Sequence, residues 1–118
     1  MALSIQQMAD LAYNAAGEKK AKDITVLDLS KISAMCDYFV ICSGGSGPQV
    51  KAIAENIEEK LSEQGIEPLR REGLREGSWI LLDYGDIVVH VFKEEEREFY
   101  KLEKLWGDAP VVEVSSES

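Results

Sequence analysis

Histidine and cysteine are nearly missing from this chain, whose 118 residues hold one of the first and two of the second. Metal centres built on imidazole and thiolate need three or four such ligands, so a zinc site has no support. His90 has no Ser or Cys nucleophile near it in sequence, which does not point to a catalytic triad. Cys36 and Cys42 lie around the start of a strand and inside it, and are expected as reduced, buried or half-buried thiols. Long apolar runs are also lacking. The strongest, over residues 79–82 and 87–89, fall far short of the roughly 20 residues of a membrane-crossing helix. The first residues, Met1-Ala2-Leu3-Ser4, have neither the basic start nor the apolar stretch of a signal peptide, so a cytoplasmic location is expected.

Positive charge is scarce too. Thirteen Lys and Arg stand against twenty-two Asp and Glu, a net charge of −9. Such a surface repels a phosphate backbone and argues against a broad grip on RNA or DNA. The same field favours encounter with a basic protein, although acidity also serves solubility. What remains is an ordinary globular composition, 45% hydrophobic and 30% charged, of a size that suits one domain. Residues 1–107 form that domain, and 108–118 read as a short polar C-terminal tail.

Ser4-Ile5-Gln6-Gln7 fits a capping box, and Ile5, Met8, Leu11, Ala12 and Ala15 follow at helical spacing, predicting a helix over 5–16 that stops at Gly17. Residues 24–29 and 38–43 read as strands, with 30–35 as their connection. Gly44-Gly45-Ser46-Gly47 breaks the second strand. From Pro48, Val50, Ile53, Ala54, Ile57 and Leu61 mark one face of a helix ending at Gly65. Residues 67–71 are a weak strand candidate. Residues 79–83 and 86–92 are strong strands around a Tyr84-Gly85 loop, and 94–106 is a last helix. Helices interleaved with strands, ending in an antiparallel hairpin, give an α/β class with a mixed sheet and flanking helices.

Two features bear on chemistry. Gly44–Gly47 sits at a strand-to-helix corner, where amides and the helix dipole favour phosphate. It lacks the Gly-Lys-Ser/Thr ending of a P-loop. A nucleotidyltransferase would also need two carboxylates alternating on one strand, whereas Asp83 and Asp86 are spaced i, i+3 across a turn. A tight corner of small residues is the favoured reading, with no catalytic residue, metal or cofactor expected. The hairpin is the second feature. With Tyr84 and Gly85 as loop residues, Asp83 faces Asp86, Leu81 faces Val88 and Trp79 faces His90. Ile80, Leu82, Ile87, Val89 and Val91 then share a core face. Trp79, Leu81, Asp83, Asp86, Val88 and His90 share the other, which reads either as a protein-binding surface or as a second face covered by a helix.

Several stretches together resemble the Iojap, or ribosomal silencing factor, family. They are Asp23-Ile24-Thr25-Val26-Leu27-Asp28-Leu29, Asp37-Tyr38-Phe39-Val40-Ile41-Cys42-Ser43-Gly44 and Gln49-Val50-Lys51-Ala52-Ile53-Ala54. The most specific are the segment from Gly77-Ser78-Trp79 through Asp83-Tyr84-Gly85-Asp86 to Val91-Phe92, and Arg97-Glu98-Phe99-Tyr100-Lys101-Leu102-Glu103-Lys104-Leu105-Trp106. The resemblance runs from about residue 5 to 106. It implies a nucleotidyltransferase-like fold without transferase activity, and binding to the large ribosomal subunit through ribosomal protein L14. Bound there, such a protein obstructs joining of the small subunit and lowers translation when nutrients are short. The resemblance further implies self-association into a homodimer, and organellar relatives are linked to large-subunit assembly. Combined with the hairpin register, it makes Trp79 and Tyr84 the expected anchors, with Leu81 beside them. Asp83 and Asp86 would meet basic groups of the partner, and His90 would pack near Trp79. The competing readings are a small nucleotidyltransferase-like enzyme using Gly44–Gly47 with Asp83 and Asp86, and a self-associating dimeric interaction module.

Overall fold

The computed structural model describes residues 3–31, 36–73 and 77–95. Helix α1 spans Ile5–Glu18, followed by strands β1 (Lys22–Asp28) and β2 (Tyr38–Gly44), helix α2 (Gly47–Ser62), and strands β3 (Arg70–Glu72), β4 (Trp79–Asp83) and β5 (Ile87–Lys93). The strands form one sheet in the order β1-β2-β5-β4-β3. The β2–β5 pair is parallel and the other three are antiparallel, so the sheet is mixed, as expected. The expected last helix lies outside the described residues beyond Glu95, as does the polar tail.

β5 is the third of five strands, paired on both edges and packed on both faces. That place explains its near-continuous apolar sequence, Ile87-Val88-Val89-His90-Val91-Phe92. β4, one position out, keeps a strict period of two: Ile80 and Leu82 are buried while Trp79, Leu81 and Asp83 are partly exposed. β3 is a short edge strand with all three residues exposed, a form that limits unwanted edge pairing.

Both helices cover one face of the sheet. Ala12, Ala15 and Ala16 of α1 pack with Ile53, Ala54, Ile57 and Leu61 of α2 above Val26, Val40, Ile80, Leu82, Val89 and Val91. The alanines let the two helices approach closely, and the larger aliphatics below fill the layer. One buried polar group joins the helices: Asn56 Nδ2 donates to the Ala15 carbonyl and to Glu18 Oε1, both at 2.8 Å.

The capping box forms as the sequence predicts, with Gln7 N–H donating to Ser4 Oγ and Ser4 N–H to Gln7 Oε1. The end of α1 comes two residues later than expected. Gly17 remains helical, and Lys20 instead takes the left-handed conformation (φ 61°). Its N–H returns to the Gly17 carbonyl, and that of Ala21 to the Ala16 carbonyl. This closing pattern normally selects glycine. α2 closes in the expected way, Gly65 (φ 77°) carrying the turn while Ile66 N–H returns to Leu61. Gln49 supports the α1 exit by donating to the carbonyls of Lys19 and Lys20.

Two stability changes are expected, each read from the urea midpoint of the folded chain. Asn56→Ala should cost about 1–3 kcal/mol, because the buried Ala15 carbonyl loses its donor from α2. Lys20→Gly should stabilise by up to about 1 kcal/mol, since the left-handed turn no longer strains a side chain.

Candidate functional site

No described helix packs on the second face of the sheet, where the aromatic residues gather. Alternation along the strands sends Leu27, Phe39, Ile41, Trp79, Val88 and Phe92 there, with Leu29 and Cys36 completing the cluster. The parallel β2–β5 register sets Phe39 beside Val88 and Ile41 beside His90. The antiparallel β4–β5 register sets Leu81 beside His90 and Trp79 beside Phe92. Trp79 stacks on Phe92 with ring centroids 4.9 Å apart, and Phe39 meets the His90 ring edge-on at 4.6 Å. Phe92 and Ile41 are fully buried beneath this layer, whereas Phe39, Trp79, Leu81 and Val88 are half-buried.

The hairpin register differs from the expectation by one step. Tyr84 N–H donates to the Ile87 carbonyl, so Gly85 and Asp86 are the loop residues rather than Tyr84 and Gly85. Gly85 takes φ 85°, a value the first position of such a turn requires and that glycine adopts without strain. Each residue of β4 now faces a partner two positions further along, so the strand residues keep their faces. The loop residues do not. Tyr84 joins the helix-covered face, is only 7% exposed and belongs to the main core, so it is not available as a surface anchor. Burial also pushes its phenol pKa well up, with Glu58 adding to the effect. Asp86 leaves the strand for the exposed turn, and its carbonyl accepts from the N–H groups of Asp37 and Tyr38 at the start of β2.

Asp83 remains on the second face but is already engaged. Its Oδ2 accepts from Arg70 Nε and Nη2 at 3.3 and 3.2 Å, and its Oδ1 accepts from Gly85 N–H at 2.8 Å. Arg70 also lies 3.7 Å from Glu72. A carboxylate so committed, with Asp86 in the turn beyond it, does not form the two-carboxylate metal clamp that phosphoryl transfer needs. Among the described residues, no group of three or more His, Cys, Asp or Glu is placed to hold a metal ion. The glycine corner uses part of its hydrogen-bonding capacity internally. Gly45 N–H donates to Gln49 Oε1 and Gln49 N–H to Ser46 Oγ, while Pro48 has no N–H to offer. A Cβ on Gly44 would lie 3.1 Å from both Val50 N and Val50 Cγ2, so close strand-to-helix packing accounts for that glycine.

His90 is the buried polar member of the face, 4% exposed. Trp79 Nε1 donates to its Nδ1 at 3.1 Å, which requires the proton on Nε2 in the neutral ring. Nε2 has no hydrogen-bond partner among the described residues. Burial drives the pKa down to about 4, against the smaller opposing influence of the Asp83 carboxylate. His90 therefore stays neutral at physiological pH and fixes the tilt of the Trp79 indole. Phe39 and Arg70 were not singled out by the sequence reading. Phe39 lies in a run apolar on both faces, so only the β2–β5 register assigns its side. Arg70 lies in the weakly marked β3, and its pairing with Asp83 needs the β3–β4 register.

A family model described as "Ribosomal silencing factor during starvation" matches residues 2–118. A ribosomal silencing factor of Halalkalibacterium halodurans is 49% identical over 112 residues, covering 95% of this chain and 96% of that protein. The crystal structure of a Chromobacterium violaceum protein superposes with a TM-score of 0.87 at 37% identity, covering 98% of this chain and 92% of that one. That of a Bacillus halodurans protein gives 0.82 at 47% identity, with 92% and 99% covered.

His90 is the chain's single histidine, so its titration is directly readable. Proton NMR should show the imidazole resonances unchanged from pH 8 to 5, with a midpoint near 4. A midpoint near 6.5 would contradict the buried, neutral ring. The sign for stability follows. Below about pH 6.5 the unfolded chain takes up a proton that the folded chain refuses until about 4, so folding loses stability as pH falls through that window. The loss is of order 3 kcal/mol, and His90→Phe should remove that part of the pH dependence.

Proposed function

The chain belongs to the ribosomal silencing factor family, and from that premise we propose that it binds the large ribosomal subunit through ribosomal protein L14 and blocks joining of the small subunit. The observation that carries this reading is the second face of the sheet. Half-buried Phe39, Trp79, Leu81 and Val88 form an apolar patch with acidic Asp83 at its edge, opposite the helix layer. Patches of this kind, an aromatic and aliphatic centre with charge at the rim, supply desolvated anchors to a partner protein. The net charge of −9 speeds encounter with a basic ribosomal protein.

The mechanism is steric and needs no covalent step. Trp79 and Leu81 seat in the partner, and His90 holds the indole from beneath. Asp86, exposed in the turn, meets a basic group directly. Asp83 does so by exchanging Arg70 for the partner's cation. Once the domain covers a surface that the small subunit must touch, the joining equilibrium falls and translation is repressed in the cytoplasm. Self-association as a homodimer would use the same apolar face and so compete with ribosome binding. The mixed sheet order and glycine corner support a nucleotidyltransferase-like fold in which the Gly45 amide and the Asp83 carboxylate serve structure instead of catalysis.

Co-sedimentation with isolated large subunits tests the proposal. The protein should pellet with large and not small subunits, and should reduce joining when small subunits are added. Leu81→Asp should weaken pelleting at least tenfold while the chain stays folded, and Trp79→Ala should weaken it comparably. Undiminished pelleting by folded Leu81→Asp would move the docking site off this face.

A further inference from the structure

The outer surface of the helix layer holds a groove of about 390 Å³ between α1 and the C-terminal end of α2. It lies on the side of the sheet opposite the aromatic face. Leu3, Leu11 and Ala15 give it apolar walls. Asp10 and Glu18 bring two carboxylates, two helical turns and about 12 Å apart along α1, while Lys60 faces them from α2. The groove therefore carries one negative charge in excess. Among the described residues neither carboxylate has an ion-pair partner, and Asp10 Oδ1 is buried without a hydrogen-bond donor.

Two of its polar side chains, Glu18 and Gln7, are held in place by hydrogen bonds. Glu18 Oε1 receives Asn56 Nδ2 at 2.8 Å, which leaves its second oxygen to a ligand. Gln7 Oε1 is used by the capping box at 2.8 Å, so its amide nitrogen remains as a donor. Gln64 adds a second carboxamide from α2. A carboxamide presents the same donor and acceptor as a peptide unit, and a carboxylate without a counter-ion asks for a cation. From Gln7 to Glu18 the helix runs about 16 Å, the length of about five extended residues.

We propose that this groove docks an extended peptide segment of a partner protein bearing one Arg or Lys. The aliphatic stem lies on Leu11 and Ala15, the cation pairs with Asp10, and the peptide units bond Gln7 and Gln64. The single excess charge matches one basic side chain better than a polyvalent amine. Such a site gives the domain a second protein contact on the face pointing away from the sheet patch.

The pentapeptide acetyl-Ala-Ala-Arg-Ala-Ala-amide, titrated into the 15N-labelled full chain, tests the proposal. Saturable shift changes should appear at residues 3–18 and 60–64. Binding should be at least tenfold weaker for the peptide with norleucine in place of arginine, and likewise for Asp10→Asn and Glu18→Gln. Leu81→Asp should leave the titration unchanged, so a failure of sheet-face docking is told apart from a failure here. Absence of saturable change, or equal binding by the norleucine peptide, would overturn the proposal. The same shifts produced by spermidine at lower concentration would assign the groove to a small amine and overturn the peptide reading.

Discussion

Everything in this domain depends on the pairing of β5, which joins β2 in parallel on one edge and β4 antiparallel on the other. A central strand must place every side chain against something. Ile87, Val89 and Val91 meet the helices, while Val88, His90 and Phe92 meet the aromatic residues of β2 and β4. The parallel contact is made between strands distant in sequence. It brings Asp37 and Tyr38 to the Asp86 carbonyl, tying the hairpin loop to the start of β2. Without that junction the second face would be two separate strips rather than one patch.

The two faces differ in how they treat polar groups. On the helix side the buried amide of Asn56 bridges α1 and α2, with its nitrogen donating twice. On the other side His90 is buried with only one of its ring nitrogens bonded among the described residues, and a buried donor left unmatched costs about 1–3 kcal/mol. A phenylalanine there would pack without that cost. The imidazole instead holds Trp79 by its indole N–H, which gives a half-buried aromatic one orientation. A side chain already oriented would lose less entropy on being covered by a partner. Stability given up under the patch and rigidity gained at its surface are thus parts of one arrangement.

The carboxylates show how folding commits a side chain that a sequence motif leaves open. Asp83 and Asp86 flank a turn, and folding commits the first to Arg70 and the Gly85 amide. At the glycine corner, the Gln49 side chain takes the Gly45 amide and the Ser46 side chain takes that of Gln49. Asp83 and the Gly45 amide are thus satisfied by the chain itself, while the Asp86 carboxylate stays exposed in the turn.

Local signals in the sequence were sufficient for the capping box at Ser4 and Gln7, the α2 stop at Gly65, the strand periods of β4 and the separation of the hairpin into two faces. Each depends on residues within a few positions of one another. The α1 terminus was misplaced because Gly17 is a local stop signal, while the actual turn at Lys20 is held by Gln49 from a distant helix. Tyr84 was misassigned for a related reason. A Tyr-Gly-Asp sequence permits two loop placements, and the observed one has Tyr84 in the helix-covered core and the Asp86 carbonyl on the β2 amides. Pattern along one chain determines which residues share a strand face. Which strands lie side by side, and hence that Phe39, Trp79, His90 and Phe92 form one cluster with Arg70 at the edge, is decided by long-range pairing whose energy no short window of sequence contains.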